Sequence, residues 1–360
     1  MMFWLALALF LSGSRGSSGQ DGGGEGRLGH PFAKAGSPQV PGGGRRSGAP
    51  PKLNNWPVIG VFTQPSKSAN PACGGDCLYL AASYVKNLEA AGASVVPINY
   101  YASKEELDEL FAGLNGVFFV GGGAVFPSSA QYLFDKTVEA NDAGDFSPLW
   151  GTCMGFQWLL IAASRNTNVL DPSDGTQLDA ENYTIPLDFT SPSTVSASKL
   201  FSSAPPDVMN TLATQNVTMN NHHYGIYTQH FQSTPALTNM FSLLSTNKDR
   251  KGVEFVSTIE AHKYPIFGVQ WHPEKNPFEW AVTIDGASEA VPYEVIDHSP
   301  DAIKVSQYMA NFFVQQARKS SHSFANPATE QSLLIYNYTP TNTPGGDFVQ
   351  TYFFPKTFGQ

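Results

Sequence analysis

The chain alternates short apolar runs with segments of helical periodicity, and this alternation constrains its fold more than any other feature. The apolar runs predict strands over Val58–Phe62, Ala93–Pro97, Gly116–Val120 and Pro148–Trp150. The segments between and after them predict helices over Leu78–Ala91, Ser103–Phe111, Gln131–Ala143 and Phe156–Ala163. Successive strand–helix units lay their strands in parallel and cover both faces of the sheet with helices. We therefore predict an α/β fold with a mostly parallel central sheet.

Local signals mark two of the helix boundaries. Ser103 is a favourable N-cap residue, and Glu106 three positions later completes a capping box. Gly92 directly follows the helix predicted over Leu78–Ala91, at the position where glycine most often ends a helix.

The second half of the chain has weaker periodicity. It predicts strands over Val253–Ile259 and Ile266–Gln270 and a helix over Ala302–Lys319, whereas residues 170–250 are rich in loop-forming residues. Because no linker rich in Pro, Gly or Ser divides residues 56–360, we predict a single domain there.

The first 55 residues have a different composition from the rest. Met2–Leu11 is apolar and is followed by a small polar segment, a pattern that resembles a secretory signal peptide over residues 1–19. Residues 12–50 contain 13 of the 33 glycines and almost no large apolar side chain. Such a segment cannot bury enough surface to offset its ordering entropy, so we predict a disordered leader over residues 20–55.

Three acceptor sequences for N-glycosylation agree with entry into the secretory pathway. They begin at Asn182, Asn216 and Asn337. We expect the mature protein in a lysosome or vacuole, or outside the cell.

Charge and apolar patterning exclude several classes of partner. The 30 acidic residues outnumber the 21 Lys and Arg, and the net charge is −9. Apart from Arg45 and Arg46 there is no basic cluster, so nucleic acid is not an expected partner. No internal apolar run reaches the ~20 residues that span a bilayer, so no membrane contact is expected after removal of the signal peptide.

The three cysteines are too few for a disulfide framework. Cys73 and Cys77 could close a small disulfide or stay reduced. A metal site there is less favoured, because four ligands are usual and no histidine lies nearby in the sequence. We predict neither a metal nor a cofactor.

Cys153 lies in the sequence Gly-Thr-Cys-Met-Gly, between a predicted strand and an apolar helix. Glycines at positions 151 and 155 suit a sharp strand-to-helix turn that strains and presents a nucleophile. The helix N-terminus would favour a thiolate, and the amide of Met154 would supply one oxyanion donor. A buried structural cysteine is the alternative interpretation, because free cysteines are among the most buried residues.

His272 follows the predicted strand Ile266–Gln270, and strand ends are where α/β enzymes place catalytic groups. Pro273 restricts the backbone before Glu274, so this carboxylate could reach the outer ring nitrogen and stabilise the imidazolium. Taken singly, His272 fits a structural histidine and Glu274 a solvated acid. Together with Cys153 at another strand end, they favour nucleophilic catalysis.

The sequence Gly-Gly-Gly at 121–123 directly follows the predicted strand Gly116–Val120. The amides of Gly122 and Gly123 could approach a substrate closely and supply a second oxyanion donor. An ordinary strand-end turn is the alternative. A phosphate site is not favoured, because no Lys-Ser/Thr follows the glycines.

Together these motifs resemble the gamma-glutamyl hydrolase (folylpolyglutamate hydrolase) family of the class I glutamine amidotransferase-like superfamily. The likeness rests on GGG at 121–123, GTCMGFQ at 151–157 and VQWHPE at 269–274. Further matching segments, from about residue 57 to 355, are Pro57–Gly60, Tyr79–Lys86, Pro148–Cys153, Pro186–Phe189, Glu254–Thr258, Tyr264–Pro265, Glu279–Trp280 and Leu334–Tyr336. The resemblance implies the fold of that superfamily with a nucleophile elbow.

The resemblance also implies roles for individual residues. Cys153 would attack a γ-glutamyl amide carbon, His272 would act as base and then as acid, and Glu274 would orient His272. His222 matches a family histidine that lines the site, and Tyr79 matches a family aromatic residue near the pocket.

Gln157 departs from the family pattern. Close family members carry Glu at this point, whereas the amidotransferase glutaminases carry Gln. Either side chain can contact the glutamyl head group, so the departure leaves the chemistry unchanged and the substrate preference open.

The resemblance implies cysteine-dependent hydrolysis of γ-glutamyl bonds in folylpolyglutamates and related poly-γ-glutamates, without a cofactor and with a homodimer as a candidate assembly. Two alternatives stay open. One is a glutaminase subunit that passes ammonia to a synthetase, which Gln157 favours. The other is a non-catalytic binding protein on the same fold. Since both a polyglutamate and this chain are anionic, any attraction between them must be local.

Overall fold

The computed structural model describes residues 53–66, 75–172, 177–283, 290–343 and 347–359. The predicted signal peptide, the predicted leader up to residue 52 and Cys73 lie outside the described residues. Within these ranges, no helix is long and apolar enough to cross a membrane.

The strands and helices follow each other along the whole described chain. The strands are β1 (Val58–Phe62), β2 (Gln64–Pro65), β3 (Cys77–Ala81), β4 (Ser94–Ile98), β5 (Gly116–Phe119), β6 (Leu149–Thr152), β7 (Ala180–Ile185), β8 (Asp188–Phe189), β9 (Thr218–His222), β10 (Phe241–Lys248), β11 (Glu254–Ala261), β12 (Ile266–Val269), β13 (Val282–Thr283), β14 (Val291–Pro292), β15 (Thr341–Asn342) and β16 (Gln350–Pro355). The helices are α1 (Ala82–Ala90), α2 (Lys104–Gly113), α3 (Ser128–Asp142), α4 (Met154–Ser164), α5 (Pro192–Ala197), α6 (Pro206–Thr214), α7 (Thr228–Ser233), α8 (Pro235–Met240), α9 (Lys275–Phe278), α10 (Pro300–Ala317) and α11 (Pro327–Leu333). A 3₁₀ turn covers Ile335–Asn337.

The central sheet confirms the predicted α/β fold. Its strand order is β4-β1-β5-β6-β12-β11-β10-β8. The first five strands in that order run parallel, and the last three extend the sheet in antiparallel fashion. Strands β1, β5, β6 and β12 are buried along their whole length, as expected of parallel strands covered on both faces. Residues Pro50–Gln360 form one unit by their contacts.

Both predicted helix boundaries are confirmed. The Ser103 side chain accepts from the backbone N–H of Glu106, and the Glu106 carboxylate accepts from the Ser103 N–H at 2.7 Å. Gly92 follows the last turn of α1 with φ +88°, a conformation that glycine adopts without the steric cost of a Cβ.

The helix predicted from residue 78 is wrong over its first turn, because residues 78–81 belong to strand β3. This strand pairs antiparallel with β16, where Tyr79 lies opposite Phe353, and its other edge pairs with β2. Helix α1 begins at Ala82, directly after β3. Apolar residues at helical spacing continue from the strand into the helix, so the sequence pattern does not mark the boundary. Pairing with a strand about 270 positions later overrides that local pattern.

Residues 170–250, which sequence alone indicated to be rich in loops, contain strands β7 to β10 and helices α5 to α8. Strands β7 and β9 form an antiparallel pair outside the central sheet, although β8, α5 and α6 lie between them in the chain. Two residues of β7, Glu181 and Asn182, fall at a shift in its register, and Asn182 has φ 45°. The short elements and this bulge hide the alternation that would otherwise reveal a strand.

The order of the central strands decides where the site lies. Strands β5, β6 and β12 are parallel neighbours, with β6 in the middle. Their carboxyl ends therefore meet at one edge of the sheet. Gly121 follows β5, Cys153 follows β6 and His272 follows β12, so the sheet brings together three motifs that are far apart in the sequence.

Candidate active site

Cys153 occupies a strained turn between β6 and α4. Its backbone has φ 52° and ψ −108°, and its N–H donates to the carbonyl oxygen of Val269 at 2.8 Å. A side chain in this region of φ costs on the order of 1–3 kcal/mol and persists only where its surroundings impose it. The thiol is free and only 4% exposed.

The two flanking glycines are needed for space. A Cβ on Gly151 would lie 2.5 Å from the carbonyl oxygen of Gly155, and a Cβ on Gly155 would lie 2.1 Å from that of Phe119. Both obstacles are backbone atoms, which cannot move aside cheaply. The turn that presents Cys153 therefore requires glycine at both positions.

His272 and Glu274 lie beside Cys153. The backbone N–H of His272 donates to the carbonyl oxygen of Met219, which holds the residue after β12. Nδ1 of His272 is 2.7 Å from Oε1 of Glu274. Cys153 lies close to the same ring, because a Cβ built on Gly121 would lie 2.7 Å from Cε1 of His272 and 3.2 Å from Cβ of Cys153. All three side chains are at least 95% buried. The structure thus brings together the three residues predicted to carry the chemistry.

The charges around His272 keep it protonated. Burial lowers its pKa, but the negative charges of Cys153 and Glu274 outweigh burial and raise the pKa to about 10. An imidazolium held between an acid and a sulfur is the arrangement that activates a cysteine nucleophile.

Tyr84 is a further residue of the site that the sequence did not indicate. Its hydroxyl accepts from the N–H of Gly121 at 2.8 Å and lies 3.3 Å from Nδ1 of His272. Burial and the nearby Glu274 carboxylate raise the pKa of Tyr84 well above its ordinary value, so the hydroxyl stays protonated. A buried tyrosine at helical spacing indicates only a core position, which is why its sequence context did not distinguish it.

The loop after β5 passes very close to the catalytic residues. A Cβ on Gly121 would lie 2.7 Å from Cε1 of His272. Gly122 has φ +152°, and a Cβ there would lie 1.9 Å from Oε1 of Gln64. A side chain is therefore disfavoured at Gly121 and at Gly122, and the backbone there can approach a substrate closely.

The amides predicted to bind an oxyanion differ in availability. The N–H of Gly123 donates to Oε1 of Gln64 at 3.3 Å, whereas the N–H of Gly122 makes no hydrogen bond within the described chain. Met154 is the first residue of α4, where an N–H has no intrahelical acceptor. Gly122 and Met154 therefore offer the better pair of donors.

These residues border a cavity of about 730 Å³, referred to below as the Cys153 cavity. Its lining includes Gly122, Gly123, Phe126, Cys153, Met154, Gln157, Trp158, Glu181, Asn221, His222, His223 and Tyr224. The volume suits a ligand of the size of a small peptide or cofactor.

His222 and Gln157 line this cavity as predicted from the resemblance. Nδ1 of His222 is 2.9 Å from the carbonyl oxygen of Tyr224, and Nε2 is 3.3 Å from Oδ1 of Asn220. Burial lowers the pKa of His222 to about 3, so the ring is neutral. Gln157 donates from Nε2 to the same Tyr224 oxygen at 2.8 Å and, more weakly, to Oε1 of Gln270.

Tyr79 lies apart from these residues. It is half-buried on β3, with its ring 6.4 Å from that of Phe348, and is not among the described residues that line the Cys153 cavity. A role for Tyr79 near the substrate stays a prediction.

The described ranges contain no group of three or more His, Cys, Asp or Glu that could hold a metal ion. Of the two cysteines outside the site, Cys77 is disulfide-bonded, and Cys73 lies outside the described residues.

Comparisons with known proteins match most of the chain. Residues 57–274 match the family model described as peptidase C26. The chain is 41% identical to gamma-glutamyl hydrolase B of Dictyostelium discoideum, over 81% of this chain and 80% of that protein. It is 40% identical to gamma-glutamyl hydrolase of Mus musculus, over 83% of this chain and 89% of that protein. It is 39% identical to gamma-glutamyl hydrolase 1 of Arabidopsis thaliana, over 81% of this chain and 80% of that protein.

Proposed function

The chain belongs to the peptidase C26 family, together with the gamma-glutamyl hydrolases of these organisms, and we propose from this that it cleaves the γ-glutamyl bonds of folylpolyglutamates with Cys153 as the nucleophile. It is an enzyme of the gamma-glutamyl hydrolase type, and the resemblance inferred from its motifs is confirmed. The observation that carries the mechanism is the proximity of His272, paired with Glu274, to Cys153, which lines an open cavity.

The first half of the reaction forms a thioester. The Cys153 sulfur attacks the γ-carbonyl carbon of the substrate, and an S–C bond forms as the carbonyl oxygen gains negative charge. The N–H groups of Gly122 and Met154 are the donors placed to stabilise that oxygen. When the C–N bond breaks, His272 gives its proton to the departing nitrogen, which leaves as the amine of the released glutamate.

The second half returns the enzyme to its starting state. Neutral His272 accepts a proton from a water molecule, whose oxygen attacks the thioester carbon. The C–S bond then breaks and leaves a thiolate beside protonated His272. The product leaves with a γ-carboxyl group, which loses the remaining proton of the water molecule to solvent. Glu274 stabilises the imidazolium whenever His272 is charged, and it holds the ring in one orientation throughout.

The decisive experiment is analysis of the products from pteroyl-penta-γ-glutamate by mass. The wild-type protein is expected to release glutamate or γ-glutamyl oligomers, whereas the Cys153→Ala variant is expected to be inert. Full activity of Cys153→Ala would overturn the assignment of the nucleophile. The masses of the products also show which bond is cleaved.

Gln157 supports one second candidate, a glutaminase that releases ammonia from free glutamine. Its side chain lies on the first turn of α4, one helical turn from Cys153, and lines the same cavity. Incubation with glutamine and with γ-glutamylglutamate in parallel separates the two. Ammonia from glutamine, without cleavage of the dipeptide, would favour the glutaminase.

We further propose that the protein enters the secretory pathway and reaches a lysosome, a vacuole or the extracellular space. The apolar segment Met2–Leu11 and the three acceptor sequences support this. Asn216 is exposed and makes no hydrogen bond within the described chain. In contrast, Oδ1 of Asn182 accepts from the N–H of Val295, and Nδ2 of Asn337 donates to the carbonyl oxygen of Gln331.

Asn216 is therefore the first site expected to carry a glycan. Expression of the full chain in eukaryotic cells, followed by treatment with an N-glycosidase, tests the proposal. A shift in mobility that is reduced in Asn216→Gln supports it. An unmodified intracellular product would contradict it.

We also propose a homodimer in solution, on the resemblance alone. Light scattering coupled to size-exclusion chromatography measures the mass directly, and the mass of a single chain would contradict the proposal.

A further inference from the structure

The Cys153 cavity has few means of neutralising an anionic substrate. None of its described lining residues is lysine or arginine, and its acidic and basic side chains besides Cys153 are Glu181, His222 and His223. His222 is neutral, because burial lowers its pKa to about 3. A γ-glutamyl chain carries an α-carboxylate on each residue, and a carboxylate that leaves water needs a charged or hydrogen-bonding partner. His223 is the remaining basic side chain of the described lining.

In the structure, His223 is already paired with an acid. Its Nε2 lies 2.5 Å from Oε1 of Glu181, and the two side chains are 39% and 51% exposed. Glu181 falls in the bulge of β7, between the pairs Ala180–His222 and Tyr183–Asn220, and its carboxylate reaches His223 just beyond the end of β9. Both residues line the cavity and both can be reached from solvent.

Arg250, a charged residue close to Glu181, is held by partners of its own. The guanidinium of Arg250 donates to the Asp179 carboxylate at 2.9 Å and to the backbone carbonyl of Glu181 at 2.9 Å. It also lies over the ring of Tyr183. Arg250 thus binds the backbone of the bulge, whereas the Glu181 carboxylate contacts His223.

We propose that Nε2 of His223 is the contact for an α-carboxylate of the γ-glutamyl chain, and that Glu181 is a competitor for it within the same protein. This inference rests on the proposed function. A substrate carboxylate replaces Glu181 on Nε2 of His223, exchanging one charge-assisted hydrogen bond for another. His223 therefore increases the affinity for a substrate with an α-carboxylate, and Glu181 decreases it.

Binding to inactive protein tests this without requiring turnover. In the Cys153→Ala background, calorimetry at pH 6 would measure the affinity for γ-glutamylglutamate and for its analogue with both α-carboxylates amidated. Glu181→Gln is expected to tighten the binding of γ-glutamylglutamate about twofold to fivefold, and His223→Gln to weaken it by a similar factor, the range of one partly exposed ion pair. Neither substitution is expected to change the affinity for the amidated analogue.

Asp207→Asn is the matched control, because it removes an exposed acid paired with Lys304 and lies outside the described cavity lining. It changes the net charge exactly as much as Glu181→Gln does, and no change in affinity is expected. The proposal is overturned if Glu181→Gln and His223→Gln shift affinity in the same direction, or if both leave it unchanged. It is also overturned if the two substitutions change the affinity for the amidated analogue as much as the affinity for γ-glutamylglutamate. Turnover of γ-glutamylglutamate by the wild type tests the proposed function separately.

Discussion

Nδ1 of His272 lies 2.7 Å from Oε1 of Glu274, and both side chains are buried. This contact directs one protonated ring nitrogen at the carboxylate and leaves the other nitrogen for the side of Cys153. The two residues are separated only by Pro273, whose fixed φ limits the paths between them. The catalytic acid–base group and the carboxylate that orients it are thus held by one short segment after β12.

Replacement of the orienting carboxylate is expected to slow catalysis far more than binding. Glu274→Gln keeps the shape of the side chain but removes the negative charge that stabilises the imidazolium. We expect kcat to fall by about a hundredfold or more, with KM little changed. Glu279→Gln is the control, because Glu279 is a buried acid that accepts from the N–H of Val349 instead of contacting His272. An equal loss in both variants would contradict the role of Glu274.

Removal of the Tyr84 hydroxyl is expected to disturb the loop after β5. In Tyr84→Phe the N–H of Gly121 loses its acceptor, and Gly122 is no longer held at its present distance from Cys153. We expect about a tenfold fall in kcat, from misplacement of one oxyanion donor. Tyr308→Phe removes a hydroxyl that donates to the carbonyl oxygen of Leu200 at 2.6 Å, and it is expected to leave kcat unchanged. Steady-state kinetics on γ-glutamylglutamate measures both.

The reactivity of Cys153 is expected to depend on the charge of His272. The raised pKa of about 10 means that His272 is cationic throughout the neutral and acid range. In His272→Gln that charge is gone, and an ordinary thiol is less than about 1% ionised at pH 6. Alkylation by iodoacetamide at pH 6, followed by intact mass, is expected to slow by more than about tenfold. Equal rates in the two proteins would show that His272 does not activate the sulfur.

A methyl group on the elbow glycine is expected to prevent folding. In Gly155→Ala the new Cβ would lie 2.1 Å from the carbonyl oxygen of Phe119, a backbone atom of the adjacent strand. Gly225→Ala is the control, since its nearest neighbour is a flexible Leu178 methyl group at 3.3 Å. We expect no soluble, cooperatively unfolding product from Gly155→Ala and a near-normal one from Gly225→Ala. Thermal unfolding monitored by circular dichroism distinguishes them.

Burial of neutral His222 is expected to make stability depend on pH. The unfolded chain takes up a proton near pH 6.5, whereas folded His222 does so only near about 3. The stability linked to this group is therefore present in full above pH 6.5 and is lost as the pH falls toward 3. Between pH 7 and 4 the wild type should lose about 3 kcal/mol more than His222→Gln does. Denaturant unfolding at both pH values measures this, and equal losses would contradict it.

Much of the site followed from local sequence, because its key residues sit at the junctions between elements. Gly151 and Gly155 around Cys153 predict a strained turn, and the apolar runs before Gly121 and His272 predict strands that end there. Parallel strands in a helix-covered sheet must then present these ends on one edge. No distance between the motifs was needed for that inference.

Other parts of the site could not be inferred in this way. Tyr84 and Tyr79 lie five positions apart in one apolar stretch, but β3 ends between them, and only Tyr84 reaches His272. That break depends on pairing between β3 and β16, near the end of the chain. The engagement of the Gly123 amide by Gln64 likewise joins two segments that no sequence pattern connects.

Sequence patterns alone were enough to predict the α/β class, the order of strands and helices around the nucleophile, and the residues able to react. These properties depend on periodicity and on steric limits within a few neighbouring residues. Three features depend on the packing of the folded chain: the amide that stays available beside Cys153, the tyrosine that approaches His272, and the pairing of Glu181 with His223. Each of those outcomes depends on side chains from separate segments competing for the same space or the same hydrogen bond, and such competition exists only once the chain has packed.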